Sequence, residues 1–302
     1  MDKVGLVTIT YNSEDVLQVF LDCVLQQTHI NFILYVIDNS SKDGTLSILK
    51  NMHESRIVVI KNKENVGVAK ANNQGIVKAI DDGCTQILII NNDVEFEANL
   101  IKKLLKAQEE KDCSLIAPKM KYFDITSNIW YAGSWFAKNK GYLPLHRGMN
   151  ELDKGQYDEC VQIEYAPTCC LLVKKEVFQD IGMMDEKYFV YFDDTDFSYR
   201  IWQDGRHKMF YYHDVNFYHK VGSLTRSFDG NLKKIYRGDF FIKQNIRNHI
   251  YFLKKIGSFF TYCFIIWLFF KNNIRFIVNS RIRKNLSTWQ LINKSYFEGL
   301  RM

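Results

Sequence analysis

The chain is predicted to have an α/β fold, with a mainly parallel central sheet flanked by helices and a C-terminal helical extension. Three observations predict it. Apolar runs that suit buried strands recur in the first third of the chain, these runs end in polar side chains, and helical periodicity follows the first three of them. Alternating strands and helices are typical of a parallel sheet, because each helix carries the chain back to the start of the next strand.

The first four predicted strands are short apolar runs at residues 4–9, 32–37, 57–60 and 87–90. A helix is predicted after Ser13, a residue type that suits an N-cap. The apolar residues that follow recur on one helical face, at Leu17, Phe20, Leu21, Val24 and Leu25. Further helices are predicted to open at Asp43-Gly44-Thr45 and to follow Asn65.

Polar side chains follow all four of these strands. They are Thr10-Tyr11-Asn12, Asp38-Asn39-Ser40, Asn62 with Asn65, and Asn91-Asn92-Asp93. Ligands of open α/β sheets bind outside the carboxyl ends of the strands, so Asp93 is predicted at the mouth of a site. Because Asn and Asp also favour turns, residues 91–93 taken alone are equally compatible with a simple turn.

Composition indicates a folded protein of one large domain or two small ones. The 302 residues are 47% hydrophobic, which supplies a substantial core. The seven cysteines show no paired metal-type spacing, so we expect reduced thiols. Residues 1–3 lead directly into a strand and leave no room for a secretion signal, so we expect a cytoplasmic protein. The oligomeric state is not predicted.

The C-terminal region is basic and aromatic. The net charge of +6 reflects Lys and Arg residues concentrated after residue 232, and an apolar run rich in Phe and Trp lies among them at residues 259–270. This run is shorter than the roughly 20 residues that a helical membrane span needs. It is predicted either to lie on an anionic membrane surface, at the inner face of the cytoplasmic membrane, or to pack on the rest of the chain. Nucleic-acid binding is not predicted, because no recognition motif accompanies the charge.

A second acidic centre follows the aromatic residues 188–192. Asp193, Asp194 and Asp196 lie within four residues of one another. Repulsion between carboxylates beside apolar rings raises a carboxyl pKa, which suits a general base acting on a hydroxyl near neutral pH. A solvated acidic helix start has the same pattern, because the helix dipole favours Asp near the N-terminus.

In order and spacing, these segments resemble the family 2 glycosyltransferases of the GT-A fold, particularly the bacterial rhamnosyltransferase-like branch, over roughly residues 4–250. The matching segments are residues 8–12, 36–45, 65–75, 91–93, 182–186, 193–196 with Arg200, and 219–223. Each segment alone is weak evidence for the family, and the resemblance depends on all seven segments occurring in this order and spacing. The resemblance implies an inverting, metal-dependent transferase with a nucleotide-diphosphate-sugar donor.

The resemblance also implies roles for individual residues. The donor nucleotide would contact Thr10, Tyr11, Asn12, Asp38, Asp43, Asn65, Gly67, Lys70, Asn73 and Asn92. Mg²⁺ or Mn²⁺ would be held by Asp93 and His219, with Asn91 as a weaker ligand where the family often has a second carboxylate. Asp194 would be the catalytic base beside Asp193, and Asp196 would pair with Arg200. The donor sugar or acceptor would lie near Thr168, Cys169, Trp130 and Trp135, although core packing is the commoner use of tryptophan.

We interpret residues 1–97 as the nucleotide-sugar-binding half, residues 98–225 as the acceptor-binding and catalytic half of the same domain, and residues 226–302 as the helical extension. The predicted reaction moves a sugar, from dTDP-rhamnose or a UDP-hexose, to a hydroxyl of a growing cell-surface polysaccharide (capsule or O-antigen) or a lipid-linked glycan. A catalytically silent nucleotide-sugar or glycan-binding protein and a nucleotidyltransferase remain alternatives. A dinucleotide-binding oxidoreductase is disfavoured, because no G-x-G-x-x-G follows a strand.

Overall fold

The computed structural model of the chain describes residues 2–221, 238–278 and 286–302. Strand and helix alternate through the first part of the chain, as predicted. The elements are β1 (Val4–Thr10), α1 (Glu14–Leu25), β2 (Phe32–Asp38), α2 (Thr45–Asn51), β3 (Ile57–Lys61), α3 (Val68–Asp81) and β4 (Gln86–Ile90). β1 pairs in parallel with β2 and β4, and β2 pairs in parallel with β3. The predicted α/β class and C-terminal helical extension are confirmed.

The second part of the chain completes this sheet and adds two small ones. Its elements are β5 (Val94–Phe96), α4 (Leu100–Glu110), β6 (Leu115–Pro118), β7 (Met120–Tyr122), β8 (Ile129–Tyr131), β9 (Ser134–Ala137), a 3₁₀ turn (Lys138–Lys140), β10 (Leu143–His146), β11 (Val161–Ile163), β12 (Cys170–Lys174), α5 (Lys175–Ile181), α6 (Asp193–Asp204), β13 (Met209–Tyr212) and β14 (Phe217–His219). The central sheet has eight strands in the order β11-β13-β6-β12-β4-β1-β2-β3, and β5-β14-β7-β8 and β10-β9 form the small sheets.

The central sheet is not parallel throughout. β12 runs antiparallel to both β4 and β6, and β11 runs antiparallel to β13, whereas β13 and β6 are parallel. The apolar part of β12 is buried like β4, because both are central strands covered on each face. An apolar run of this kind has the same pattern in either direction, so the sequence did not reveal the reversal of β12.

Helix α3 packs closely on the central sheet. Gly75 lies where α3 crosses β1, and a Cβ at this position would overlap the Cγ1 atom of Val7. Glycine therefore allows the helix to approach the strand closely. On the other side, α1 buries Leu17, Phe20 and other residues of the predicted helical face.

Within residues 238–278 and 286–302, the C-terminal extension contains three further helices. They are α7 (Asp239–Ile256), α8 (Phe259–Val278) and α9 (Leu286–Arg301). Their apolar residues form a second core with aromatic side chains from the α/β part of the chain, including Tyr165, Tyr188 and Phe192. α8 is longer than the apolar run at residues 259–270. In the described ranges, no helix combines the length and hydropathy of a membrane span.

Candidate active site

The carboxyl ends of β1 and β2 are joined by side-chain hydrogen bonds. Thr10 Oγ1 donates to Asp38 Oδ1 at 3.0 Å, and Asp38 Oδ2 accepts from the backbone N–H of Ser41 at 3.1 Å. Thr10 and Asp38 are both buried. The carboxylate is therefore held in one orientation, and its oxygens keep further lone pairs with which to accept a hydrogen bond.

The loops that follow β1 and β2 support each other. Asn12 Oδ1 accepts from the backbone N–H of Lys42 at 2.8 Å, and Asp43 Oδ1 accepts from the N–H of Thr45 at 3.1 Å. Tyr11, by contrast, is 46% exposed at the rim. Asn12 and Asp43 thus shape the loops, and Tyr11 leaves an aromatic surface exposed beside them.

The start of α3 lies against the segment that leads to the acidic centre. Asn65 Oδ1 accepts from the N–H of Gly67 at 3.0 Å, and Gly67 has a left-handed φ of 87°. A Cβ on Gly67 would lie 2.6 Å from the carbonyl oxygen of Phe189, which itself accepts from the N–H of Val68. Only glycine fits this contact without displacement of the backbone.

Two of the predicted donor-site amides bind other parts of the protein. Asn73 Nδ2 donates to the carbonyl of Met184 at 2.9 Å, and Asn73 Oδ1 accepts from its N–H at 3.1 Å. Asn92 Nδ2 donates to Ser13 Oγ at 3.0 Å. Lys70 is exposed. Asn73 and Asn92 therefore hold the walls of the site in place.

Asp93 and His219 come together as the resemblance implied. Asp93 follows β4, and β14 pairs with β5 so that His219 lies opposite Val94. His219 Nε2 is 3.4 Å from Asp93 Oδ1, and both side chains are buried. Cys169 is the other polar neighbour of the imidazole. Burial opposes the charged imidazole, yet Cys169 and the Asp93 carboxylate raise the pKa of His219 above its ordinary value.

The Asp93–His219 pair has the chemistry of a divalent-cation site. Its 3.4 Å separation is near the spacing of about 3 Å between adjacent ligands of an octahedral Mg²⁺. Across residues 2–221, 238–278 and 286–302, no group of three His, Cys, Asp or Glu side chains is arranged for a metal ion. A site with two protein ligands suits Mg²⁺ or Mn²⁺, whose remaining ligands come from water and substrate phosphates. Asn91 is exposed, and its N–H donates to the Cys169 carbonyl.

Asp193 and Asp194 begin α6, so the predicted acidic centre is also an acidic helix start. Tyr165 Oη donates to Asp194 Oδ2 at 2.7 Å, and Thr195 Oγ1 donates to Asp194 Oδ1 at 3.2 Å. Burial raises the pKa of both Asp193 and Asp194, and the charge of Asp194 adds to the rise for Asp193. The hydrogen bond from Tyr165 favours the charged form of Asp194 and so limits the rise in its pKa.

A series of ring contacts joins the two centres. The Trp130 ring meets the His219 ring edge-on at 4.6 Å and the His146 ring at 5.3 Å. The His146 ring stacks on Tyr165 at 5.8 Å, and Tyr165 bonds to Asp194. The Asp93–His219 pair and the acidic helix start are therefore linked through packed side chains.

The remaining predicted residues occupy different places. Trp135 packs under the Arg147 guanidinium, which lies 5.3 Å from its ring centroid. Thr168 is buried immediately before Cys169 and β12. Asp196 forms the predicted ion pair with Arg200, whose Nε lies 2.9 Å from Asp196 Oδ2. Gly222 and Ser223, which end the motif that begins at His219, lie outside the described residues.

Sequence analysis did not identify Tyr165 or His146 as part of this site. Both side chains are buried or nearly so, and burial lowers the pKa of His146 to about 4, so its ring is neutral. Tyr165 is 29 residues from Asp194 in the sequence. No local motif marks either residue, since both reach the site through packing between separate elements.

We expect Tyr165→Phe to move the acidic limb of the pH–rate profile to higher pH. The lost hydrogen bond favours the ionised form of Asp194, so its removal raises the pKa of the base, and activity disappears at a higher pH as the medium is acidified. The kcat for donor turnover measured against pH tests this expectation. Tyr131→Phe is the control, because Tyr131 donates to the Tyr165 carbonyl at 2.9 Å and leaves Asp194 untouched. Identical acidic limbs for both variants would contradict the expectation.

Comparison with known proteins identifies the family. The profile described as Glycosyl transferase family 2 matches residues 6–182, more than half of the chain. The low-salt glycan biosynthesis hexosyltransferase Agl10 of Haloferax volcanii is 23% identical over 206 residues, and the match covers 66% of this chain and 62% of Agl10. The dTDP-rhamnosyl transferase RfbF of Shigella flexneri is 26% identical over 196 residues, covering 64% of this chain and 61% of RfbF. The chain therefore matches less than two thirds of the length of these relatives.

A solved structure supports the same fold. The crystal structure of GalNAc-T7 with UDP, GalNAc and Mn²⁺ matches this chain with a TM-score of 0.62 at 15% identity, over 84% of this chain and 48% of that chain. This likeness confirms the predicted GT-A fold, and the matched family profile spans β1 through α5. The chain belongs to the family 2 glycosyltransferases.

Proposed function

We propose that this glycosyltransferase is metal-dependent, inverts the anomeric configuration, and transfers a sugar from a nucleotide-diphosphate-sugar donor to a hydroxyl of a cell-surface polysaccharide or lipid-linked glycan. The observation that carries the proposal is the contact series from the Asp93–His219 pair through Trp130, His146 and Tyr165 to Asp194. It supports a proposal in which a cation at Asp93 and His219 and a base at Asp194 serve one reaction. RfbF is a dTDP-rhamnosyl transferase, and GalNAc-T7 was solved with UDP, so dTDP-rhamnose and UDP-hexoses are the first donors to test.

The donor is assigned to the strand ends. Asp38 accepts a hydrogen bond from the nucleobase, Tyr11 offers it an aromatic face, and the loops held by Asn12, Asp43 and Asn65 enclose the nucleoside. Asp93 and His219 would hold the cation, which would stabilise negative charge on the leaving nucleoside diphosphate. A carboxylate and an imidazole are both ligands of Mn²⁺, and the cation would displace the proton that the raised pKa of His219 favours on its ring.

Asp194 acts on the acceptor. Its carboxylate takes the proton from the acceptor hydroxyl as that oxygen attacks the anomeric carbon. The bond from the anomeric carbon to the diphosphate oxygen breaks, and the electron pair leaves with the nucleoside diphosphate. Because attack and departure occur on opposite faces in a single displacement, the configuration inverts. Before this step, the hydrogen bond from Tyr165 orients Asp194 and favours its ionised form.

A stabilisation screen tests the donor assignment. The full chain is heated with UDP-, GDP- and dTDP-sugars, each with and without Mn²⁺. A ligand at about 100 times its Kd adds about 2.7 kcal/mol of stability, which raises Tm by several degrees. We expect one nucleotide class to raise Tm and to do so only with Mn²⁺. Equal Tm values for all ligands would overturn the donor assignment. A rise in Tm that does not depend on Mn²⁺ would overturn the metal assignment.

We also propose a division of the chain in which residues 1–97 bind the donor, residues 98–225 form the acceptor and catalytic half, and residues 226–302 bind a surface. In this proposal α8 rests on an anionic membrane surface. One face of α8 is packed, as Ile265 shows at 4% exposure, and the other presents Phe259, Trp267 and Phe270 at 86%, 48% and 56% exposure. The ammonium of Lys271 lies 4.4 Å from the Trp267 ring centroid. Exposed aromatics beside a cation suit the headgroup region of an anionic leaflet. This location brings the site to lipid-linked acceptors.

Vesicle sedimentation tests the membrane assignment. We expect the full chain to sediment with phosphatidylglycerol vesicles and less with phosphatidylcholine vesicles. Replacing Phe259, Trp267 and Phe270 together with serine is expected to weaken binding at least about tenfold, because each buried aromatic contributes roughly 1.5–3 kcal/mol. The control is Ile30→Ser with Ile125→Ser, which removes two exposed apolar residues elsewhere. Unchanged binding of the triple variant, or equal losses in both variants, would contradict the assignment.

A further inference from the structure

The turn that leads into the catalytic carboxylates has an unusual backbone. Tyr191 and Phe192 are both left-handed, with φ values of 65° and 69°. Side chains with a Cβ disfavour this region, so two consecutive aromatic residues adopt it only where surrounding contacts hold them. Phe192 immediately precedes α6, which begins at Asp193. The direction in which Asp193 and Asp194 point therefore depends on this turn.

Asn248 of α7 binds the turn from the C-terminal extension. Its side chain is 0% exposed, and Nδ2 donates to the carbonyl oxygens of Val190 and Tyr191, at 2.9 Å each. An amide nitrogen has two hydrogens, so one side chain satisfies both carbonyls. Asn248 Oδ1 accepts from Arg247 Nε at 3.0 Å, which fixes the orientation of the amide.

The next residue of α7 supports the same turn. The His249 ring stacks on the Phe192 ring, with centroids 5.3 Å apart and planes at 25°. His249 Nε2 donates to the carbonyl of Gly141 at 2.8 Å, because a carbonyl only accepts. Phe252, one turn further along α7, packs against Phe192 at 6.0 Å. The left-handed turn is thus enclosed by α7.

A second set of contacts from α7 reaches the residues on both sides of the turn. Lys255 Nζ lies 2.8 Å from Asp185 Oδ2 and 2.6 Å from Asp196 Oδ1. Tyr251 Oη donates to Asp185 Oδ2 at 2.8 Å. The segment from Asp185 to Asp196, which contains the proposed base, is therefore bound to α7 before, within and after the turn.

We propose that Asn248 is a positioning residue for the catalytic base, so that the C-terminal extension forms part of the catalytic apparatus as well as a surface-binding element. It acts through the Val190–Tyr191 carbonyls and touches neither donor nor acceptor. This role rests on the proposed function of Asp194. A general base acts only within hydrogen-bond reach of the proton that it removes, so a small shift of the turn lowers kcat.

The test compares two Asn→Asp variants on the same helix. Asn248→Asp keeps the side-chain size, removes both donated hydrogens and places a carboxylate against two carbonyls. Asn245→Asp is the matched control, because Asn245 Nδ2 donates at 3.0 Å to the Phe241 carbonyl within α7. For each variant of the full chain, kcat and KM are measured from donor turnover with Mn²⁺. Nucleotide binding is measured separately, as the rise in Tm caused by the nucleoside diphosphate that this donor releases.

In Asn248→Asp we expect kcat to fall by about ten- to a hundredfold while donor KM and nucleotide stabilisation stay within about twofold of wild type. Asn245→Asp should match wild type in all three measurements. Asn248→Ala, which adds no charge, should also lower kcat at constant KM.

Three results would overturn the positioning role of Asn248. They are a wild-type kcat in Asn248→Asp, an equal loss of kcat in Asn248→Asp and Asn245→Asp, and a loss of nucleotide binding in both Asn248 variants. The last result would make Asn248 merely structural. An active Asp194→Asn would instead overturn the proposed function, so the two failures are distinguishable.

Discussion

Asp194→Asn is expected to lower kcat for sugar transfer by about 10²- to 10⁴-fold, the usual contribution of a positioned general base. The substitution keeps the size of the side chain and removes the lone pair that takes the acceptor proton. Tyr165 still has an oxygen to which it donates, so the site keeps its structure. Donor KM and the Mn²⁺-dependent rise in Tm with nucleoside diphosphate are therefore expected to be unchanged.

Asp204→Asn is the control for this prediction, because Asp204 ends the same helix and forms an exposed ion pair with Arg206 at 2.7 Å. It should transfer sugar at the wild-type rate. Transfer by Asp194→Asn at a rate within a few-fold of wild type, with donor saturating, would show that another group removes the proton.

Asp93→Ala is expected to abolish the dependence of donor binding on Mn²⁺ and to lower kcat/KM by about 10²-fold or more. The variant removes the carboxylate that faces His219 across 3.4 Å. A single imidazole is a poor site for a hard cation, so the charge on the leaving diphosphate is no longer stabilised. Calorimetric titration of the variant with nucleoside diphosphate, with and without Mn²⁺, measures the loss independently of turnover.

Asp81→Ala removes an exposed carboxylate at the end of α3 and serves as the control. It should retain wild-type binding at every Mn²⁺ concentration. Tight Mn²⁺-dependent nucleotide binding by Asp93→Ala would assign the cation to other groups.

The alternation of strands and helices was predictable because each element carries its own pattern. The apolar run predicted at residues 32–37 is β2, and the helical face predicted from Leu17 is the buried face of α1. The direction of β12 was not predictable, because a strand buried on both faces has no alternation and its neighbours are set by the whole sheet.

The residues of the candidate site were predictable where they lie at the end of a strand or the start of a helix. Asp38 ends β2 and Asp93 follows β4, at the same edge of the sheet, and Asp194 lies in the first turn of α6. The acidic cluster does begin a helix, since α6 starts at Asp193, but Asp193 and Asp196 are buried and not solvated. Burial raises the pKa of Asp193 and Asp194.

The supporting residues were not predictable. Tyr165 bonds to Asp194 across 29 residues, and Asn248 bonds to Val190 across 58. The first contact depends on how separate elements of the α/β part pack and the second on how α7 docks, and no local pattern determines either. The apolar run at residues 259–270 was predicted to be either packed or surface-bound. In the structure one face of α8 is packed and the other is exposed, as an amphipathic helix allows.

The central claim is that this chain turns over a nucleotide-diphosphate sugar at a site that needs a divalent cation. Release of nucleoside diphosphate from the stabilising donor, measured with Mn²⁺ and again after chelation, tests it most directly. We expect release with Mn²⁺, loss of release in chelator and recovery when Mn²⁺ is restored. Donor binding without any release, with acceptor glycans present, would identify a silent binding protein, and equal release with and without the cation would contradict the metal site.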